Sequence, residues 1–176
     1  ANGDRAAAIA EVFRKGKFRS KNVVTSVSGQ NVVVRYITMP KMSDSELRQA
    51  IRFESDKYLP FDANEVVLDS QKLERKPPAS AEGESGRDDQ MGVVLAACRT
   101  SYVEERLKEL TKQGLHPFAV DVDLFALANA WELSGGTESS GEEGHEQAIA
   151  LVDVGASITS INVLCGGETC FSREIG

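Results

Sequence analysis

The stretch Leu151-Val152-Asp153-Val154-Gly155-Ala156-Ser157-Ile158-Thr159 has residue types and spacing suited to handling phosphate. Its apolar start reads as a buried strand that delivers Asp153 at its end. Gly155 permits a tight reversal whose amides can approach phosphate oxygens with no Cβ in the way. An aspartate so placed would hold Mg²⁺ through water or polarise an attacking water, while Ser157 and Thr159 could donate hydroxyls. The candidate ligand residues are therefore Asp153, Gly155, Ala156, Ser157 and Thr159, with Asp153 also the candidate metal contact. Asp-x-Gly at a hairpin is equally ordinary turn chemistry, so the pattern alone leaves both readings open.

Other chemistries find little support. A net charge of -7 and a pI near 5.0 would repel a phosphate backbone, which argues against nucleic acid as a ligand. Cys98, Cys165 and Cys170 form no CxxC pair, and His116 and His145 are scattered, so a metal site is not expected. An odd cysteine count with no secretory leader fits a reducing compartment, with cysteine acting as a small buried hydrophobe. Ser, His and Asp occur in no G-x-S-x-G setting, so hydrolase chemistry is not expected. No apolar run of about 18 residues suggests a membrane span.

The elements that must position these residues can be read along the chain. Asp4 to Lys15 carries a helical stripe of Ala8, Ile9, Val12 and Phe13, with Asp4 as N-cap. Asn22–Val27 and Asn31–Thr38 are β-branched runs, expected to form a hairpin or two adjacent strands through Ser28-Gly29-Gln30. Pro40 ends the second run, and Ser43 with Glu46 has capping-box spacing, opening a helix from Asp44 to about Lys57. Tyr58-Leu59-Pro60-Phe61-Asp62 ends that helix, because the residue before proline is pushed out of helical geometry. Val66–Leu73 is a strand, Glu74 to Gln90 a loop, and Gly92–Cys98 a buried strand. A second box at Ser101 and Glu104 is expected to start a helix that closes at Gly114. Phe118–Val122 is a short strand, followed by a helix from Leu124 to Leu133. Ser134 to Glu146 is a Gly/Ser/Glu linker. Ala148–Val152 and Ile158–Cys165 are strands, and Gly166-Gly167 makes a type I′ turn into a last strand ending at Ile175.

Five motifs in order resemble the PilM family of type IV pilus assembly proteins. They are the Met42-Ser43-x-x-Glu46-Leu47 start with Ala50-Ile51-Arg52-Phe53-Glu54, the Tyr58 to Asp62 stretch, and Val94 to Arg99. Gly114-Leu115-x-Pro117 with Ala119-Val120-Asp121-Val122-Asp123 follows, and then Val152-Asp153-Val154-Gly155-Ala156. That family is similar to FtsA and more distantly to actin and Hsp70. The resemblance implies an α/β (α+β) fold, a piece of an actin-like, ribonuclease H-like ATPase including an FtsA-like 1C (SHS2-like) subdomain with a mostly antiparallel sheet.

The resemblance further implies that residues 1–38 and 116–133 belong to a first lobe (1A), 39–115 to the inserted subdomain, 134–146 to a linker and 147–176 to the start of a second lobe. Asp153 to Thr159 would be the second phosphate loop, with the first loop expected before Asp4 and the adenosine motifs after Gly176. ATP and Mg²⁺ would then bind the intact protein and not this portion. The implied function is a cytoplasmic scaffold, peripheral to the inner membrane, holding the N-terminal tail of the membrane protein PilN in a groove. Other pilus platform proteins or the assembly ATPase are further expected partners. Tyr58, Leu59, Pro60 and Phe61 form an apolar knot that is either a partner contact or core packing. An FtsA-like cell-division protein and a sugar- or acetate-kinase-type phosphotransferase are the competing readings.

Overall fold

A computed structural model describes residues 5–73, 89–136 and 148–176. The helix α1 (Arg5–Gly16) buries none of its residues, and of its expected stripe only Ile9 and Phe13 are even half-buried. Asp4, its expected cap, and nearly all of the expected 74–90 loop and 134–146 linker lie outside the described residues.

The strands β1 (Asn22–Val27) and β2 (Val32–Pro40) are not neighbours, contrary to the expected pairing. A single 3₁₀ turn at Gly29–Asn31, entered with Gly29 at φ +80°, redirects the chain instead of reversing it. β1 pairs in parallel with β5 (His116–Val122), which arrives about ninety residues later. β2 runs antiparallel to β4 (Gln90–Arg99), whose other edge carries β3 (Val66–Leu73). The order β2-β4-β3 makes β4 the central strand and explains its nearly continuous apolar sequence.

One face of this sheet is covered by α2 (Asp44–Glu54). Val93, Leu95 and Ala97 of β4 meet Leu47 and Ile51 of the helix, with Met39 and Leu59 closing the cluster. Each large side chain so buried contributes about 1.5–3 kcal/mol, making this the chief core. The expected capping box is present: the Ser43 hydroxyl accepts from the Glu46 amide and the Glu46 carboxylate accepts from the Ser43 amide at 2.7 Å. The helix tightens into a 3₁₀ turn at Ser55–Lys57, and the Leu59 amide reaches back to the Ser55 carbonyl before Pro60 ends the run.

The helix α3 (Thr100–Lys112) does not use the second expected box. Its N-cap position is Arg99, which is still paired with Val66 in the sheet, so the strand runs straight into the helix and Ser101 falls inside the first turn. Its end is as expected: Gly114 at φ +71° lets its own amide bond Thr111 and the Leu115 amide bond Leu110, a Schellman closure that buries both leucines.

After β5 comes α4 (Asp123–Leu133). A third sheet, antiparallel in the order β6-β7-β8, comprises Ala148–Val154, Thr159–Cys165 and Glu168–Ile175. Gly166 and Gly167 both have positive φ, as a type I′ turn requires. Leu164 pairs with Thr169 and Val163 with Phe171, so Cys170 is the extra residue of a bulge. The bulge corrects the reading of the cysteines as separate small hydrophobes: Cys165 and Cys170 form a disulfide across the turn, while Cys98 is buried and free.

Candidate functional site

The Asp153 segment folds as a strand–turn–strand hairpin. Asp153 pairs with Ser160 and Val154 with Thr159. The amide of Gly155 donates to the Ile158 carbonyl at 3.0 Å, and a Cβ on Gly155 would stand 2.7 Å from that oxygen. Glycine is therefore required by close approach, but its amide is spent inside the turn rather than turned toward a ligand. Asp153, Ala156 and Ser157 are exposed, and Thr159 is half-buried. Of the five residues singled out from sequence, only Ser157 lines a cleft.

That cleft, of ≈ 620 Å³, separates the hairpin from the start of β2. Val32, Val34, Leu124 and Ile158 supply its apolar wall. Glu174 of β8 bridges one end, its carboxylate accepting from the Gly29 amide at 2.7 Å. A second tie runs deeper: fully buried Asn162 of β7 donates its side-chain amide to the Leu124 carbonyl at 3.0 Å. The three elements are thus fixed against one another by polar bonds as well as by buried Leu164.

A second cleft of ≈ 580 Å³ lies on the face of the β2-β4-β3 sheet that α2 leaves uncovered. Register places Tyr36 beside Val94 on this face. The opposing wall is α4, which presents Phe125, Ala128, Trp131 and Glu132, and the third side is Leu164 with the turn from Gly167 to Thr169. Trp131 is held against Gly136, where a Cβ would overlap the indole. Burial raises the Tyr36 phenol above its ordinary pKa, and the neighbouring Ser172 and Thr169 hydroxyls offset only part of that. Those two hydroxyls stand near the phenol, but neither meets it in hydrogen-bond geometry, so the buried phenol oxygen has neighbours without a formed bond.

Tyr58 to Phe61 occupy the opposite side of the sheet. Leu59 is 7% exposed within the α2 core, and Tyr58 packs against the same cluster. Phe61 lies under the Arg99 guanidinium, 4.5 Å from its ring centroid, and only Pro60 is exposed. These four line neither cleft.

Sequence reasoning missed Tyr36, Phe125, Asn162, Glu174 and the cysteine pair. Asn162 had a readable signal, a polar residue at an inward position of the alternating Ser160-x-Asn162-x-Leu164 run. The clefts had none, because each is assembled from elements remote in sequence.

Among the described residues no three His, Cys, Asp or Glu side chains converge as a metal site, and no helix is long and apolar enough to cross a membrane. A solved PilM–PilN type IV pilus biogenesis complex contains a chain 31% identical to this one. The match covers 97% of this chain and 47% of that one, with a TM-score of 0.75. The cytoplasmic domain of EpsL, an inner-membrane component of the Vibrio cholerae type II secretion system, matches at 14% identity over 97% of this chain and 56% of its own, TM-score 0.57, a likeness of fold. This chain thus spans about half the length of the structures it matches. The expected α/β fold class, with mostly antiparallel sheets, is the one observed, and it is the fold of these structures. With the family model for the type IV pilus assembly protein PilM matching residues 4–176, the chain belongs to the PilM family.

Proposed function

We propose that this chain is the partner-binding part of a cytoplasmic pilus-assembly scaffold, holding the N-terminal tail of a PilN-like inner-membrane protein in the cleft between the β2-β4-β3 sheet and α4. The observation that carries the reading is the cleft itself: a trough on the sheet face away from α2 in which Tyr36, Phe125 and Trp131 stand among polar side chains such as Gln71, Asn129 and Glu132, in a chain related to one from a PilM–PilN complex. An extended peptide suits such a trough, since its alternate side chains can enter pockets while its backbone lies along the strands. Tyr36, Phe125 and Trp131 would be the anchors, as aromatic groups commonly are at interfaces. The Tyr58 to Phe61 knot is better assigned to the core, given Leu59's burial.

Membrane association would come through the partner, and further platform proteins or an assembly ATPase could dock once the tail is held. We place the start of the inserted subdomain at Val32, since all of β2 pairs with β4. Titration of the chain with a synthetic PilN-tail peptide should give saturable binding, weakened at least tenfold by Ala128→Glu, which sets a bulky carboxylate beside Phe125 and Trp131 on the wall formed by α4. Absence of binding, or equal binding by the variant, would sink the reading.

For nucleotide, we infer that these residues alone do not make a site. The Gly155 amide is committed to Ile158, and exposed Asp153 has no converging ligand among the described residues. Calorimetric titration with MgATP should therefore give no saturable heat for this chain, and micromolar affinity would refute that. Nucleotide binding in the intact protein would need groups from outside these residues beside Asp153 and Ser157.

A further inference from the structure

We propose that Cys165 and Cys170 are a thiol–disulfide modification site, reactive toward small-molecule disulfides, whose oxidised state fixes the hairpin wall of the second cleft. In an unbulged ladder Cys170 would stand opposite Val163, a diagonal neighbour of Cys165 at about 7–8 Å. The extra residue in the bulge shortens the Cα–Cα separation to 5.8 Å, within the usual range for a disulfide. Both cysteines are half-buried, at a turn whose tip, Gly166-Gly167, is exposed, so a small reagent can reach them. Cys98 is different: it is buried in another cluster and burial pushes its thiol pKa up, which disfavours the reactive thiolate.

The chemistry is an exchange. One cysteine thiolate attacks a sulfur of an external disulfide R–S–S–R and expels R–S⁻, leaving a mixed disulfide. The second thiolate attacks the cysteine sulfur of that mixed disulfide and expels the other R–S⁻. Two protons from the cysteine thiols end on the two released R–SH, so the cysteines are oxidised by the two electrons that the reagent gains. Excess thiol drives the sequence backward.

The consequence follows from where the hairpin sits. The residues bracketed by the bond, Gly167 and Thr169, and their neighbour Leu164 line the cleft opposite Tyr36 and Trp131. A crosslink across the turn removes conformations in which the β7–β8 end of this wall frays apart, and pre-organising a site reduces the entropy lost on binding. The effect on binding rests on the peptide reading above, but the modification and the movement of the wall do not.

The test uses the chain in its oxidised and thiol-reduced forms, with Cys165→Ser/Cys170→Ser as the non-responding variant. Equilibration with oxidised glutathione, followed by maleimide trapping and peptide mass mapping, should show an intramolecular Cys165–Cys170 bond that dithiothreitol removes. Stable glutathione adducts on each cysteine, or a bond involving Cys98, would overturn the site. Trp131, the chain's sole tryptophan, reports the wall: its emission should shift on reduction in the native chain and not in the variant. Unchanged emission would overturn the coupling. The PilN-tail peptide should bind the oxidised form about fivefold more tightly, as pre-organisation predicts. Equal affinity would refute the effect on binding, whereas no peptide binding in either state with the emission shift present would sink the peptide reading alone.

Discussion

Tyr36 concentrates the tension between packing and polarity in this chain. Its ring lines the second cleft beside Thr169 and Ser172 of β8, but its hydroxyl is removed from water without a formed hydrogen bond. Leaving such a group unsatisfied costs about 1–3 kcal/mol, so Tyr36→Phe should hold or raise stability in urea unfolding. The pH dependence gives a second reading of the same residue. Because burial raises the folded-state pKa above 10.0, the contribution of the neutral phenol is fully present below pH 10 and is lost as pH rises through the folded value. The native chain should therefore lose stability faster than Tyr36→Phe in alkaline titration. Parallel curves above pH 10 would show that the phenol ionises alike in both states. Nothing in the sequence marked Tyr36, since an aromatic residue in a β-branched run reads simply as a strand. Gly155 was legible, and its close approach to Ile158 is the kind of constraint that Asp-x-Gly implies, although the amide it freed from Cβ crowding serves the turn.

At the scale of elements, local chemistry was legible where it was satisfied locally. Ser43 and Glu46 exchange their bonds within three residues, so the start of α2 followed from spacing alone. Gly114 likewise closed α3 through positive φ. Pairing was less legible, because β1 finds its partner in β5 rather than in the adjacent β2, and a strand's period says nothing of its neighbour. The Ser101 box failed for a related reason: Arg99 remains committed to β3, so the strand's pairing rather than the cap decides where the helix begins. The Ser43 cap itself can be tested. Ser43→Ala should cost about 1 kcal/mol in denaturant unfolding. The Ser43 hydroxyl, then its amide, hold the Glu46 carboxyl below its ordinary 4.5, so the share of the cap made by the carboxylate is present above that value and fades as pH falls through the lower folded value. The gap between the native chain and Ser43→Ala should accordingly narrow in acid to what the Glu46 amide bond to the Ser43 hydroxyl still contributes, and a gap that stays constant down to pH 2 would contradict the coupling.

For the whole molecule, the question is what joins the third sheet to the rest. The α2 core lies entirely within the β2-β4-β3 layer, so it stabilises that layer without holding the hairpin. The hairpin is held instead by Glu174 to Gly29, by Asn162 to Leu124, and by the contact of β8 with Tyr36. Few buried apolar contacts and a small number of polar ties describe a unit that can open below the global unfolding energy. Glu174→Ala leaves the Gly29 amide without its carboxylate acceptor while touching none of the α2 core. Hydrogen exchange should then quicken across residues 159–175 and stay unchanged at Val93 to Ala97. A uniform increase at both places would mean that the sheets unfold as one unit. Acceleration confined to 159–175 would make the third sheet a separately opening wall of both clefts, so that whatever clamps the hairpin also sets how firmly a peptide is held.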